Sequence, residues 1–157
     1  MSEWSVTRCI TDTKSFLGVN GYYRKHIAGY AMITKPLTML KSKGTRFKWG
    51  PERQAVFEEL KRRLVAAPVL VYPDPEAELV FDTDASDVLT SGVLRLVKDG
   101  EERVVLYWSR MLSTCEHQNS LNCRKLLAVI KATQHLRPYL FGRYFRLRTD
   151  RASLLWL

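Results

Sequence analysis

Apolar residues keep one rhythm in residues 1–70 and another in residues 71–157. In the first stretch they recur at three- and four-residue intervals, which is helical spacing. A first helix is predicted with Thr11 or Asp12 as its cap, running through Tyr22, Tyr23 and Ile27. Pro36 starts a second, short helix over Leu37-Thr38-Met39-Leu40, and Lys41 to Lys48 forms a basic turn around Gly44. Trp49-Gly50-Pro51-Glu52 opens the clearest helix, with Pro51 suited to a first helical position. Ala55, Val56, Leu60 and Leu64 share its apolar spacing, while Arg53, Lys61, Arg62 and Arg63 take other faces. Ala66-Ala67-Pro68 ends it. Val69 to Tyr72 reads as a strand, and Pro73-Asp74-Pro75 is a stiff turn that serves as the domain boundary.

Beyond that turn the pattern becomes short alternating runs. Leu79 to Thr83 and Gly92 to Val97 are predicted strands, Lys98-Asp99-Gly100-Glu101 a hairpin turn, and Arg103 to Trp108 a third strand. Short links make these three an antiparallel meander. Ser120 or Asn122 then caps a helix whose apolar faces come from Leu126, Leu127, Val129, Ile130 and Leu136, and Arg137-Pro138 stops it. Tyr144 to Thr149 is the fourth strand. Ser153-Leu154-Leu155-Trp156-Leu157 reads as the apolar start of a further helix, which gives the expectation of a domain cut short. The fold class expected is mixed α/β.

Composition narrows the class without deciding the function. The content is 46% hydrophobic and 11% aromatic, which argues for a globular chain. No apolar run approaches the roughly 20 residues of a membrane span, and the N-terminus lacks a signal-peptide pattern. Cys9, Cys115 and Cys123 are odd in number and lack metal-ligand spacing, so they are expected to be free thiols in a reducing, intracellular setting. The net charge of +9 is uneven. Residues 1–70 carry 13 Lys/Arg against 5 Asp/Glu, and residues 71–157 carry 12 against 11. A basic helical half suits a polyanion, nucleic acid rather than membrane, with a merely solvated surface as the alternative. Tyr22-Tyr23-Arg24-Lys25-His26 mixes rings that can stack on bases with cations that can meet phosphates, although the tyrosines could instead pack this helix on the next. Tyr23, Arg24, Lys25, Lys43, Arg46 and Lys48 are the candidate nucleic-acid contacts.

The chemistry concentrates at two echoed strand ends. Val80-Phe81-Asp82-Thr83-Asp84 and Phe145-Arg146-Leu147-Arg148-Thr149-Asp150 both close on Thr-Asp, with the helical run between them. A strand, a crossover helix and a parallel strand would set Asp84 and Asp150 side by side at the carboxyl ends, where open α/β sheets keep their sites. Paired carboxylates there suggest a divalent cation, most simply Mg²⁺ with a phosphate substrate. The alternative is that each aspartate caps its own strand and faces water.

Further blocks make the pattern specific. They are Ser15-Phe16-Leu17-Gly18, Tyr22-Tyr23-Arg24, Pro36-Leu37-Thr38, Phe47-Lys48-Trp49, Phe57-Glu58-Glu59-Leu60-Lys61, Ala67-Pro68-Val69-Leu70 and Pro73-Asp74-Pro75. Thr83-Asp84-Ala85-Ser86-Asp87, Ser109-Arg110, Leu126-Leu127-Ala128-Val129, Arg137-Pro138-Tyr139-Leu140-Phe141-Gly142 and Arg148-Thr149-Asp150 follow in order. Together they resemble the polyprotein of gypsy-class LTR retrotransposons. The stretch matched runs from the thumb or connection end of the reverse transcriptase, here residues 1–70, into the start of the RNase H domain, here residues 71–157.

The resemblance implies a helical segment followed by an incomplete RNase H-like fold. It also implies Asp84 and Asp150 as catalytic, metal-holding acids for Mg²⁺-dependent hydrolysis of RNA in RNA–DNA hybrids. Lys125 stands where the family places its second acid. Helical spacing puts Lys125 on one face with Ala128, Val129 and Ala132, so its side chain can point at the sheet. A cation there repels a dication by roughly 1 kcal/mol per charge at about 4 Å in bulk water, and by several times more when partly buried. A protonated lysine also has no lone pair to offer. Leu89 and Ser91 replace a family Gly-x-Gly, with Gly92 displaced, and Arg151 replaces a histidine. The family's fourth acid falls beyond Leu157. These departures imply a site without catalytic activity. The expected partners are an RNA–DNA hybrid or other nucleic acid and the remainder of a reverse transcriptase polyprotein. The alternatives are a non-catalytic, domesticated nucleic-acid-binding module and a ribonuclease H active only within a longer polyprotein.

Overall fold

The computed structural model describes residues 9–42, 44–68 and 70–149. Its contacts divide the chain into two compact units, Met1–Val69 and Leu70–Leu157.

The first unit contains three helices, α1 (Ile10–Tyr22), α2 (Tyr30–Met39) and α3 (Pro51–Val65). They close on Phe16, Leu17, Ile27, Tyr30, Leu37, Phe57 and Leu60. The rings of Phe16 and Phe57 lie 4.5 Å apart at this centre. Phe57 is fully buried whereas Ala55 is exposed, so the packed stripe of α3 is set by its ring rather than by the alanine expected there. The first helix ends at Tyr22, short of Ile27; a 3₁₀ turn, Arg24–His26, intervenes. Its cap is Cys9, not Thr11 or Asp12. The second helix starts at Tyr30, six positions before Pro36, with Gly29 as its cap at φ +65°. Pro36 strands one backbone carbonyl, but Thr34 before it and Leu37 and Leu40 after it are buried, and their packing keeps the helix intact. Pro51 does occupy the first turn of α3, where the missing N–H costs nothing.

The second unit is a four-stranded sheet with one long helix. Its strands are β1 (Glu78–Ala85), β2 (Leu89–Lys98), β3 (Glu101–Met111) and β4 (Phe145–Thr149), in the order β3-β2-β1-β4. β1–β2 and β2–β3 are antiparallel, and β4 joins β1 in parallel. The β2–β3 hairpin turns at Asp99 (φ 54°) and Gly100 (φ 79°), the two left-handed residues of a type I′ loop. Val69 lies outside the described residues, and Leu70 to Tyr72 are not a strand: the Val71 N–H donates to the Val104 carbonyl at 3.1 Å, and Tyr72 is exposed. A short helix absent from the sequence expectation, α4 (Thr114–His117), precedes α5 (Leu121–Leu140). It is built on a capping box: the Glu116 N–H donates to Ser113 Oγ, and the Ser113 N–H donates to the Glu116 carboxylate.

Helix α5 crosses between β3 and β4 and lays Ala128, Ala132, Leu136 and Leu140 inward. Ala132, Leu136 and Leu140 meet Leu79, Phe81, Leu94, Leu96, Val105, Leu106 and Trp108 in one core. The expected apolar faces were partly wrong, because Ile130 is exposed and Leu126, Leu127 and Val129 are only half-buried. Nor does Pro138 stop the helix. It lies on an exposed position in the last turn, the helix runs on to Leu140, and burial of Leu140 in the core offsets the lost hydrogen bond. Gly92 has a packing role: a Cβ there would lie 2.7 Å from Phe81 Cε2 and 2.9 Å from the Asp82 carbonyl oxygen.

Candidate functional site

Alternation along β1 buries Thr83 and Ala85 and exposes Asp84 at the carboxyl end. One Asp84 oxygen accepts the Ala85 N–H at 2.7 Å. The strand ends because Ser86 nucleates a tight turn. Its Oγ accepts the N–H groups of Val88 and Leu89, and its own N–H donates to the Leu89 carbonyl. On the other side of β1, Thr83 pairs with Thr149, the last described residue of β4. Asp150 lies outside the described residues, as does Lys43, so of the expected carboxylate pair Asp84 alone is described.

The beginning of α5 completes this end of the sheet. Ser120 caps it, accepting the Cys123 N–H. Arg124 Nη1 meets Asp87 of the β1–β2 turn at 2.8 Å. The Arg124 side chain is 12% exposed, and its Nε is buried without a hydrogen-bond partner. Lys125 is buried at 4% exposure on the same helical face as Ala128, Ala132 and Leu136. The spacing argument for an inward Lys125 is therefore borne out. The Arg124–Asp87 pair was not foreseen: helical spacing says nothing about which turn a neighbouring arginine can reach.

Among the described residues, no three His, Cys, Asp or Glu side chains gather to hold a metal. Asp84 is an exposed carboxylate, Asp87 in the turn after it is engaged by Arg124, and Lys125, the next residue of α5, is buried. Asp84 and Asp87 are thus the described carboxylates at this strand end, and a Mg²⁺ pair needs several oxygen ligands converging on each ion.

Strand β4 is held by charge on the sheet face that carries Asp82. Arg148 Nε donates to Asp82 at 2.6 Å, and its Nη atoms reach both Glu102 oxygens at 2.9 Å. Arg95 also pairs with Asp82. The hydrogen bond from Arg148 holds the Glu102 carboxyl below its ordinary value, and Glu102 in turn raises Arg148.

In the first unit, Tyr23, Arg24 and Lys25 come together where α1 gives way to the 3₁₀ turn. Tyr22 and Tyr23 are 78% and 42% exposed, with their rings edge to face at 5.1 Å. They therefore do not pack α1 onto α2. Tyr30 is buried instead, with the Arg24 guanidinium 5.9 Å from its ring. Burial raises the Tyr30 phenol and the Arg24 charge pulls it down by less. Arg46 and Lys48 stand exposed in the segment leading to α3.

Residues 49–147 match the family described as the RNase H-like domain found in reverse transcriptase. The chain belongs to that family. It is 37% identical over 147 residues to a retrovirus-related Pol polyprotein from transposon 297 of Drosophila melanogaster, covering 93% of this chain and 14% of the relative. It is also 33% identical over 156 residues to the transposon Tf2-3 polyprotein of Schizosaccharomyces pombe, covering 98% of this chain and 12% of that protein. Its relatives are thus LTR retrotransposon polyproteins, as the sequence blocks implied, and the chain spans about one-eighth to one-seventh of their length. In fold it is similar to the foamy viral protease-reverse transcriptase solved in complex with RNA/DNA hybrid. The TM-score is 0.83 and the identity 23%, over 98% of this chain and 21% of that one. Among the described residues no helix is long and apolar enough to cross a membrane.

Proposed function

We propose that this chain is a nucleic-acid-binding segment of a reverse transcriptase polyprotein in which the RNase H-like site no longer hydrolyses RNA. Residues 1–70 act as a thumb- or connection-like basic segment, and residues 71–157 carry the RNase H-like part. The observation that carries the loss of hydrolysis is Lys125, 4% exposed on the sheet-facing side of α5 at the position of an expected carboxylate. Asp84 and Asp150 are then vestigial acids, and Mg²⁺ has too few ligands to be held between them.

Binding rests on charge and exposed rings. The first unit supplies Tyr23, Arg24, Lys25, Arg46 and Lys48 as exposed or half-exposed groups, with Lys43 beside them in sequence. An RNA–DNA hybrid is the ligand favoured, since a related fold is described in complex with one. Neutralising several phosphates makes such binding weaken steeply with salt. The test is a titration of labelled hybrid by the chain at rising salt, with Mg²⁺-dependent cleavage followed in the same samples. Salt-sensitive binding without cleavage supports the reading. Cleavage contradicts the loss of hydrolysis, and absence of binding contradicts the function.

A further inference from the structure

The charge of the second half, near balance as a whole, is sharply divided within it. Residues 71–116 carry 4 Lys/Arg against 10 Asp/Glu, whereas residues 117–149 carry 7 Lys/Arg and no Asp or Glu. The acid-free stretch is α5, the turn after it and β4.

At the junction of α5 and β4, large rings stand in solvent. Phe141 is 75% exposed and Tyr144 is fully exposed. The backbone presents them deliberately. Phe141 (φ −63°, ψ 127°) and Gly142 (φ 73°) are the central residues of a type II turn, closed by the Arg143 N–H donating to the Leu140 carbonyl at 3.1 Å. Glycine is required at that second position by its positive φ. The Arg143 side chain points the other way. Its Nη2 donates to the carbonyls of Asp74, Pro75 and Ala77 at 2.6, 3.2 and 2.7 Å, pinning the loop to the segment before β1. Phe145 packs against the core. The loop is thus anchored through Arg143 and Phe145 and leaves Phe141 and Tyr144 outward. The anchored backbone fixes where both rings emerge, so less freedom is lost when something stacks on them.

Cations flank the rings. The Arg137 guanidinium lies 5.3 Å from the Phe141 ring centre, and exposed Arg146 pairs with Glu78 at 2.8 Å, a surface contact that a phosphate can displace. Exposed aromatics with guanidinium groups are the chemistry of a stacking platform for unpaired bases, with Glu78 the acid that a phosphate displaces. Paired bases already stack on one another, so a duplex gains nothing from such rings.

We infer that Phe141 and Tyr144, with Arg137 and Arg146, form a binding site for single-stranded nucleic acid. The inference rests on the nucleic-acid-binding reading above and adds a second, distinct surface. Leu79 pairs with Phe145, five residues before Asp84, so the platform sits roughly 17 Å along the strand direction from the Asp84 end.

The experiment uses the full chain and two fluorescently labelled probes, an oligouridylate and an RNA–DNA hybrid, read by anisotropy. The double variant Phe141→Leu/Tyr144→Leu keeps apolar surface but removes the π-faces. It should lose about tenfold or more in affinity for the oligouridylate, with hybrid affinity within about twofold. Phe141→Trp/Tyr144→Trp should keep oligouridylate affinity, and its tryptophan emission should be quenched on binding. Unchanged oligouridylate affinity in the leucine variant overturns the inference. So does sedimentation showing that the rings instead hold two copies of the chain together. Hybrid binding without oligouridylate binding sinks this site alone, whereas binding of neither probe sinks the broader reading as well.

Discussion

Thr83 and Thr149 pair across the parallel β1–β4 contact, and in sequence each is followed at once by an aspartate. The echo of the two Thr-Asp strand ends is therefore a true register relationship. Among the described residues, α5 adds two cations near its start, Arg124 paired with Asp87 of the turn after β1, and buried Lys125.

Gly92→Ala should destabilise the second unit by about 1–3 kcal/mol, since the added methyl meets Phe81 and a backbone carbonyl that cannot step aside. Urea unfolding followed by tryptophan emission measures it. An unchanged midpoint would show that the sheet can open at that position.

Phe57→Ala should cost the first unit about 3–5 kcal/mol, because the ring is fully buried against Phe16. Loss of helical circular dichroism at lower temperature is the expected outcome. A melting curve that does not move would mean that Phe57 is not the centre of that core.

Glu116 titrates at about 2 in the folded chain against an ordinary 4.5, first through the Ser113 N–H and then through Arg110. Folding therefore favours its ionised form. That contribution is complete above about pH 4.5 and is lost as pH falls towards 2. Ser113→Ala should cost about 0.5–2 kcal/mol at pH 7. Glu116→Gln should be less stable than the unmodified chain at pH 7, with the gap closing as the medium is acidified. A gap that persists at pH 2 would contradict this assignment.

Arg148→Gln cuts the links from β4 to Asp82 and Glu102. These groups are partly exposed, so the expected loss is about 1 kcal/mol or less and should shrink at high salt. Chemical denaturation in urea at low and at molar salt checks both features. A loss that does not depend on salt would point to packing of the side-chain stem instead.

Most of the fold was legible because local signals agreed with the tertiary result. Asp99-Gly100 gave the hairpin, Ser120 the cap of α5, and the Lys125 spacing gave the inward face. The errors have physical causes. Pro36 and Pro138 suggest helix boundaries, but buried leucines beside them sustain the helices. The capping box Ser113–Glu116 is the sequence signal of α4, a helix of about one turn. At the candidate site, the Asp87–Arg124 pair depends on how the β1–β2 turn folds over α5, which no local pattern encodes. The near balance of charge over residues 71–157 hides a division into an acidic meander and a basic helix and strand.

The most direct measurement is Mg²⁺-dependent cleavage of a labelled RNA–DNA hybrid by the unmodified chain, with Lys125→Glu run beside it. The account predicts that the unmodified chain binds the hybrid and leaves it intact. Cleavage by Lys125→Glu alone would assign the loss to that one side chain. Cleavage by the unmodified chain would contradict the account and require a site that works with Lys125 in place.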